Sequence, residues 1–162
     1  MLSVKASGKE ICYSHILPSH DGRCKNLHGH NGVITVEVFS KTLLAGNLFV
    51  TDYKYLKKWL NELDDLFDHK FITSLKSFKD THEDSRLEFE FNDINIIIPL
   101  EKVTILEDIN ETSSEAILMW IATNKIDSLL AMINGTNENG VARIRLEFRE
   151  TTNCIATLDW TL

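Results

Sequence analysis

Apolar and polar residues alternate at the start of the chain. Over residues 3–17, Ile11, Tyr13 and His15 share one parity, which predicts a first strand. A stretch dense in turn formers, PSHDGRCKNL, follows and reads as a loop. From His28 to Ser40 a longer strand is expected, with His28, His30, Ile34, Val36 and Val38 on one face. Gly46 and Asn47 mark a turn, and Leu48 to Val50 are expected to finish that strand. Thr51 or Asp52 can cap a helix in which Leu56, Leu60, Leu63 and Phe67 form one apolar stripe, ending near Asp68-His69. Residues 74–86 are polar and read as a loop. LEFEF and INIII, either side of Asn92-Asp93, predict a β-hairpin. A second helix opens near Thr112, whose spacing to Glu115 is that of a capping box, and is expected to run to about Asn134, with GTNENG as its exit loop. In VARIRLEFRE, Arg143, Arg145, Glu147 and Arg149 face one way and Ala142, Ile144, Leu146 and Phe148 the other, with Glu150 on the apolar parity. A last strand covers Cys154 to Leu162. The order β-β-α-(β-β)-α-β-β predicts an α+β fold, with helices packed on one face of a sheet.

Composition adds limits. The 162 residues suit one domain, and no linker or repeat divides them. A net charge of -7 argues against a nucleic-acid surface, which needs a basic stripe. No run of about 18 apolar residues is present, so no membrane span is expected. MLSVKASGKE lacks an apolar core of the signal-peptide type. Cys12, Cys24 and Cys154 are too few and too odd in number for a disulfide framework, so a reducing cytoplasm is the expected compartment.

The chemistry concentrates in CKNLHGH, Cys24 to His30. If Gly29 is extended, His28 and His30 stand side by side on the strand face that continues into Ile34 and Val36. His15, on the neighbouring strand, offers a third imidazole. Three neutral imidazoles with one position open describe a catalytic zinc site better than a structural one; the bland reading is surface or hydrogen-bonded core histidines. Cys24 is either a fourth metal ligand, a small buried hydrophobe, or a thiolate that moves protons. Asp68-His69 alone reads as a solvated helix end, but beside a thiol it has the makings of a proton relay. Glu150, if buried, suits the donor edge of an aminopyrimidine. His20 and His82 fall in polar stretches and read as bland.

Together these segments resemble the 6-pyruvoyl-tetrahydropterin synthase/6-carboxy-tetrahydropterin synthase family. The likeness rests on His15 after the first strand, CKNLHGH, G-x5-D-Y from Gly46 to Tyr53, FDH at Phe67 to His69, and RETTNC from Arg149 to Cys154. TSSEAILMWI resembles the family's Pro-Thr-x-Glu helix start, with Thr112-Ser113 in place of Pro-Thr and Glu115 at the Glu. The likeness spans nearly the whole chain apart from an expansion at about 74–108.

That resemblance implies a tunnelling fold (T-fold): a four-stranded antiparallel sheet with two helices on one face, here carrying an inserted β-hairpin. It implies Zn2+ held by His15, His28 and His30. Cys24, Asp68 and His69 become catalytic, and Glu150, Ser113 and Glu115 substrate-binding. The family's substrate is 7,8-dihydroneopterin triphosphate, and its members are homohexamers with active sites between subunits. Three residues between Cys24 and His28 resemble the 6-carboxy-tetrahydropterin synthase branch, which feeds 7-deazaguanine (queuosine or archaeosine) synthesis. The expectation is a zinc-dependent lyase making 6-carboxy-5,6,7,8-tetrahydropterin. The alternatives are a 6-pyruvoyl-tetrahydropterin synthase or related pterin side-chain lyase, and a zinc-stabilised pterin-binding domain.

Overall fold

A computed structural model of the protein describes residues 1–43, 49–74, 81–83, 85–91, 94–133 and 140–162. In chain order its elements are β1 (Leu2–His15), β2 (His28–Ser40), α1 (Tyr53–Phe67), β3 (Lys70–Thr73), β4 (Thr81–Glu83) and β5 (Arg86–Phe91). They continue with β6 (Ile94–Pro99), β7 (Val103–Ile105), α2 (Ser114–Met132), β8 (Val141–Thr151) and β9 (Cys154–Thr161). The expected turns at Gly46-Asn47 and Asn92-Asp93, the expected strand residue Leu48, the helix end Asn134 and most of the exit loop lie outside the described residues.

β1, β2, β8 and β9 form the expected antiparallel four-stranded sheet, with residue partners running from Leu2↔Ser40 to His15↔His28 across the first pair. Two short strands that alternation did not reveal extend it in parallel beyond β1, giving the order β7-β3-β1-β2-β8-β9. Runs of three or four residues are too short for a period of two to show. The stretch expected to be a loop contains β4, which joins β5 and β6 in a separate three-stranded sheet. β2 stops at Ser40, whose hydroxyl donates to the Thr42 carbonyl (2.5 Å) and turns the chain. Phe49 and Val50 are therefore bends, not its continuation.

Asp52 caps α1 by accepting from Lys54 N (2.9 Å), and Leu56, Leu60, Leu63 and Phe67 are all buried, as their spacing requires. Each such side chain contributes about 1.5–3 kcal/mol by leaving water. α2 is capped by Ser113, which accepts from Ala116 N (3.3 Å), one residue later than the Thr112–Glu115 spacing suggested. Both helices share one core with Ile34, Val36 and Val38 of β2 and Val141, Ile144, Leu146 and Phe148 of β8. Trp59 Nε1 ties them together by donating to Lys125 O at 3.0 Å. The inserted sheet has its own small core, where Phe71 stacks on Phe89 (5.6 Å) beside Ile16 and Leu87. No described helix is long and apolar enough to cross a membrane.

Candidate metal centre and active site

The last rungs of the β1–β2 ladder pair Tyr13 with His30 and His15 with His28, so cross-strand pairing puts three imidazoles on one face. Gly29 between the histidines is a matter of space. A Cβ there would lie 2.6 Å from the Tyr13 carbonyl oxygen. The nearest ligand-capable atoms of His15, His28 and His30 lie within 4.8 Å of one another.

Two of the rings have their tautomer fixed by backbone. His15 Nδ1 donates to Thr112 O (2.8 Å) and His28 Nδ1 donates to Asn26 O (2.7 Å), which leaves both Nε2 lone pairs for an ion. His15 Nε2 is buried and has no hydrogen-bond partner. Burial lowers the His15 pKa to about 4, against the raising effect of the Thr112 bond, so the ring is neutral at physiological pH. A buried, unpartnered lone pair facing two further imidazoles fits a transition-metal cation of the zinc type.

Cys24 sits in a single 3-10 turn, Arg23–Lys25, and is not part of the imidazole group. Its loop is closed by Leu17 N donating to Cys24 O (3.0 Å) and by Ser19 N donating to the Glu111 carboxylate (2.6 Å). The thiol lines a cavity of about 540 Å³ shared with Ser113, Glu115, Glu150, His20 and Cys154. Four of the residues singled out in the sequence therefore meet in one place. Glu150 joins this cavity to the imidazoles: its Oε1 lies 3.7 Å from His30 Nε2 and 3.9 Å from His15 Nε2.

Asp68 and His69 lie elsewhere. Asp68 Oδ1 accepts from Cys12 N (2.8 Å) and stands 2.9 Å from His69 Nδ1. The Cys12 amide, with His69 in support, holds the Asp68 carboxyl below the usual carboxylate range. His69 itself has φ of +56°, unusual for a residue with a side chain, and its ring is 79% exposed. It lines a second cavity of about 500 Å³, with Cys12, Tyr13, His30, Asn31 and Lys102, which shares His30 with the imidazole group and is not the one that holds Cys24.

Three groups at the site have no role assigned from the sequence. The Thr112 carbonyl is a backbone atom and leaves no residue-type signal. His20, read as bland, lies on the wall of the Cys24 cavity. The side chain of His82 lies outside the described residues. Tyr13 donates its phenolic O–H to Glu150 Oε1 (3.2 Å), and burial, then the Glu150 charge, pushes its pKa up so that it stays a donor. Its parity with His15, set against the apolar parity of Glu150, was the available clue.

Residues 4–160 match the family described as 6-pyruvoyl tetrahydropterin synthase. A Methanocaldococcus jannaschii protein provisionally named 6-carboxy-5,6,7,8-tetrahydropterin synthase is 30% identical over 138 residues, 83% of this chain and 82% of its own. A 6-carboxy-5,6,7,8-tetrahydropterin synthase from Haemophilus influenzae is 37% identical over 62 residues, 36% of this chain and 44% of its own. Among solved structures, 6-pyruvoyl tetrahydropterin synthase from Plasmodium vivax superposes with a TM-score of 0.79 at 18% identity, covering 100% of both chains. The Plasmodium falciparum protein of the same name gives 0.79 at 20% identity over 99% of each. These two likenesses concern the fold.

Proposed function

Because the chain belongs to the 6-pyruvoyl tetrahydropterin synthase family, we propose that it is a zinc-dependent lyase converting 7,8-dihydroneopterin triphosphate to 6-carboxy-5,6,7,8-tetrahydropterin. The observation that carries this reading is the arrangement of two neighbouring sites. Three imidazole nitrogens converge within 4.8 Å, and Cys24 lines the adjoining cavity without joining them. A thiol outside the ligand set is available for proton transfer, and the spacing of Cys24 from His28 resembles the carboxy branch.

His15, His28 and His30 would hold the ion, which when bound supplies Lewis-acid polarisation of the substrate's side-chain oxygens. Glu150 accepts the N–H edge of the pterin ring, with Ser113 and Glu115 at the start of α2 on the same wall. Cys24, as thiolate, removes a proton from a side-chain carbon. His69, oriented by Asp68, carries protons on the opposite side of the substrate. Cys24 and His69 face different cavities of one chain, which supports an assembly in which a neighbouring subunit brings His69 to Cys24. A homohexamer in the cytoplasm, serving 7-deazaguanine synthesis, is the setting this reading implies.

Incubation of the zinc-loaded protein with 7,8-dihydroneopterin triphosphate, followed by mass analysis, tests it. The expected products are 6-carboxy-5,6,7,8-tetrahydropterin, acetaldehyde and triphosphate. A 6-pyruvoyl product would assign the sister activity, and an unconsumed substrate would overturn the lyase reading.

A further inference from the structure

Tyr13 is a large side chain in a tight place. Its ring is 5% exposed and lies against the rings of His15 (5.3 Å), His30 (5.7 Å) and Phe148 (5.6 Å). Gly32, directly across from Ile11, makes the room. A Cβ there would come within 2.6 Å of Phe148 Cε2 and 3.2 Å of Tyr13 Cε1. The ring is thus fixed on several sides, and its one polar atom reaches Glu150 Oε1 at 3.2 Å. Glu150 is the last inward-facing residue of β8 before Thr151, and its carboxylate has two attractions. One is the Cys24 cavity it lines; the other is the imidazole pair 3.7 and 3.9 Å away.

The geometry points to Tyr13 as the positioning residue for Glu150, its O–H holding Oε1 on the histidine side so that the carboxylate presents its remaining lone pairs to a planar ring with adjacent N–H donors. This rests on the reading of Glu150 as the pterin anchor. A glutamate side chain alone spreads over many rotamers, and ordering it on binding costs affinity. A phenol locked by three aromatic neighbours has little such freedom to lose. It also restrains the carboxylate from being drawn wholly onto a cation held by the histidines, where it would be lost to the ligand. Tyr13 therefore acts on ring recognition and not on proton transfer.

Tyr13→Phe keeps the ring and removes only the O–H. Neopterin, an unreactive fluorescent pterin, is titrated into wild type, Y13F, E150Q and the double variant, with and without zinc. KM and kcat are measured alongside, and metal content and melting serve as controls. The expected result is a Kd and KM about tenfold higher in Y13F with kcat within about twofold, the size of one hydrogen bond to a charged group. In the E150Q background the Tyr13 change adds nothing, because it acts through that carboxylate. Unchanged neopterin affinity in Y13F, where E150Q is weakened, overturns the role of Tyr13 alone. So does a fall in kcat at constant KM. Unchanged affinity in E150Q overturns the pterin-anchor reading and the role of Tyr13 with it.

Discussion

Gly29 passes under the Tyr13 carbonyl so closely that any β-carbon would sit 2.6 Å from the oxygen. The neighbour is backbone in a paired strand and has nowhere to go. Gly29→Ala should therefore force β1 and β2 apart at the Ser14–Gly29 rung, between the rungs that pair Tyr13 with His30 and His15 with His28. The expected cost is about 2–3 kcal/mol of stability. Zinc affinity should fall with it, because both ligand strands move. Thermal unfolding and metal content of the purified variant check this together.

Cys24 and His69 line separate cavities, and the proposed relay would draw them from two neighbouring chains. Cys24→Ala should keep its zinc and lose roughly 10²–10⁴ of turnover, the usual weight of a positioned acid or base. His69→Ala should be similarly impaired. Mixing the two inactive variants through a denature–refold cycle should restore roughly a quarter of wild-type activity, since a symmetric assembly recombines intact residues in that share of its sites. Absence of any recovery would place both residues' actions within one chain.

The metal-free protein should lose stability in acid over a defined window. The folded pKa of His15 is depressed to about 4, from an unfolded value near 6.5, chiefly by burial. Between those values the unfolded chain binds more protons than the folded one, so unfolding free energy falls as pH falls. The stabilisation is fully present above pH ~6.5 and is lost on the way down to pH ~4, amounting to roughly 3 kcal/mol. Burial lowers the His30 pKa as well and steepens the same slope. Urea midpoints of zinc-free protein between pH 4 and 7 check it, with His15→Gln expected to flatten the curve.

Asp68 is a joint as well as an orienting group. Its Oδ1 accepts from the Cys12 amide of β1 and stands 2.9 Å from His69 Nδ1. Asp68→Ala should cost about 1 kcal/mol through the lost Cys12 bond. It should also lower kcat by freeing the His69 ring, with zinc content unchanged. Asp68→Asn, which still accepts from Cys12, should recover the stability but not the rate. Denaturation and steady-state kinetics on the two variants separate the contributions.

Most of the sheet and both helices were legible because their apolar residues repeat over enough positions to fix a period. The Leu56–Leu60–Leu63–Phe67 stripe and the alternation of β8 are the plainest cases. β3, β4 and β7 were not, since three or four residues carry no period, and parallel pairing with a distant strand leaves no local trace. The convergence of His15 with His28 and His30 followed from parity on adjacent strands. The separation of His69 from Cys24 did not, because it depends on where the end of α1 meets β1. Ser113 displaced Thr112 as the cap of α2, while the Thr112 carbonyl is engaged by His15.

That carbonyl has a wider consequence. The proton on His15 is placed by a main-chain oxygen just before α2, so no side-chain replacement at position 112 can delete it. The candidate ion site thereby takes its His15 tautomer from the path of the chain into a helix, and the same helix start supplies Ser113 and Glu115 to the neighbouring cavity. On the proposed reading, redesigning those two positions for a different substrate would tug on the ion site, and emptying that site would loosen the wall against which the substrate rests.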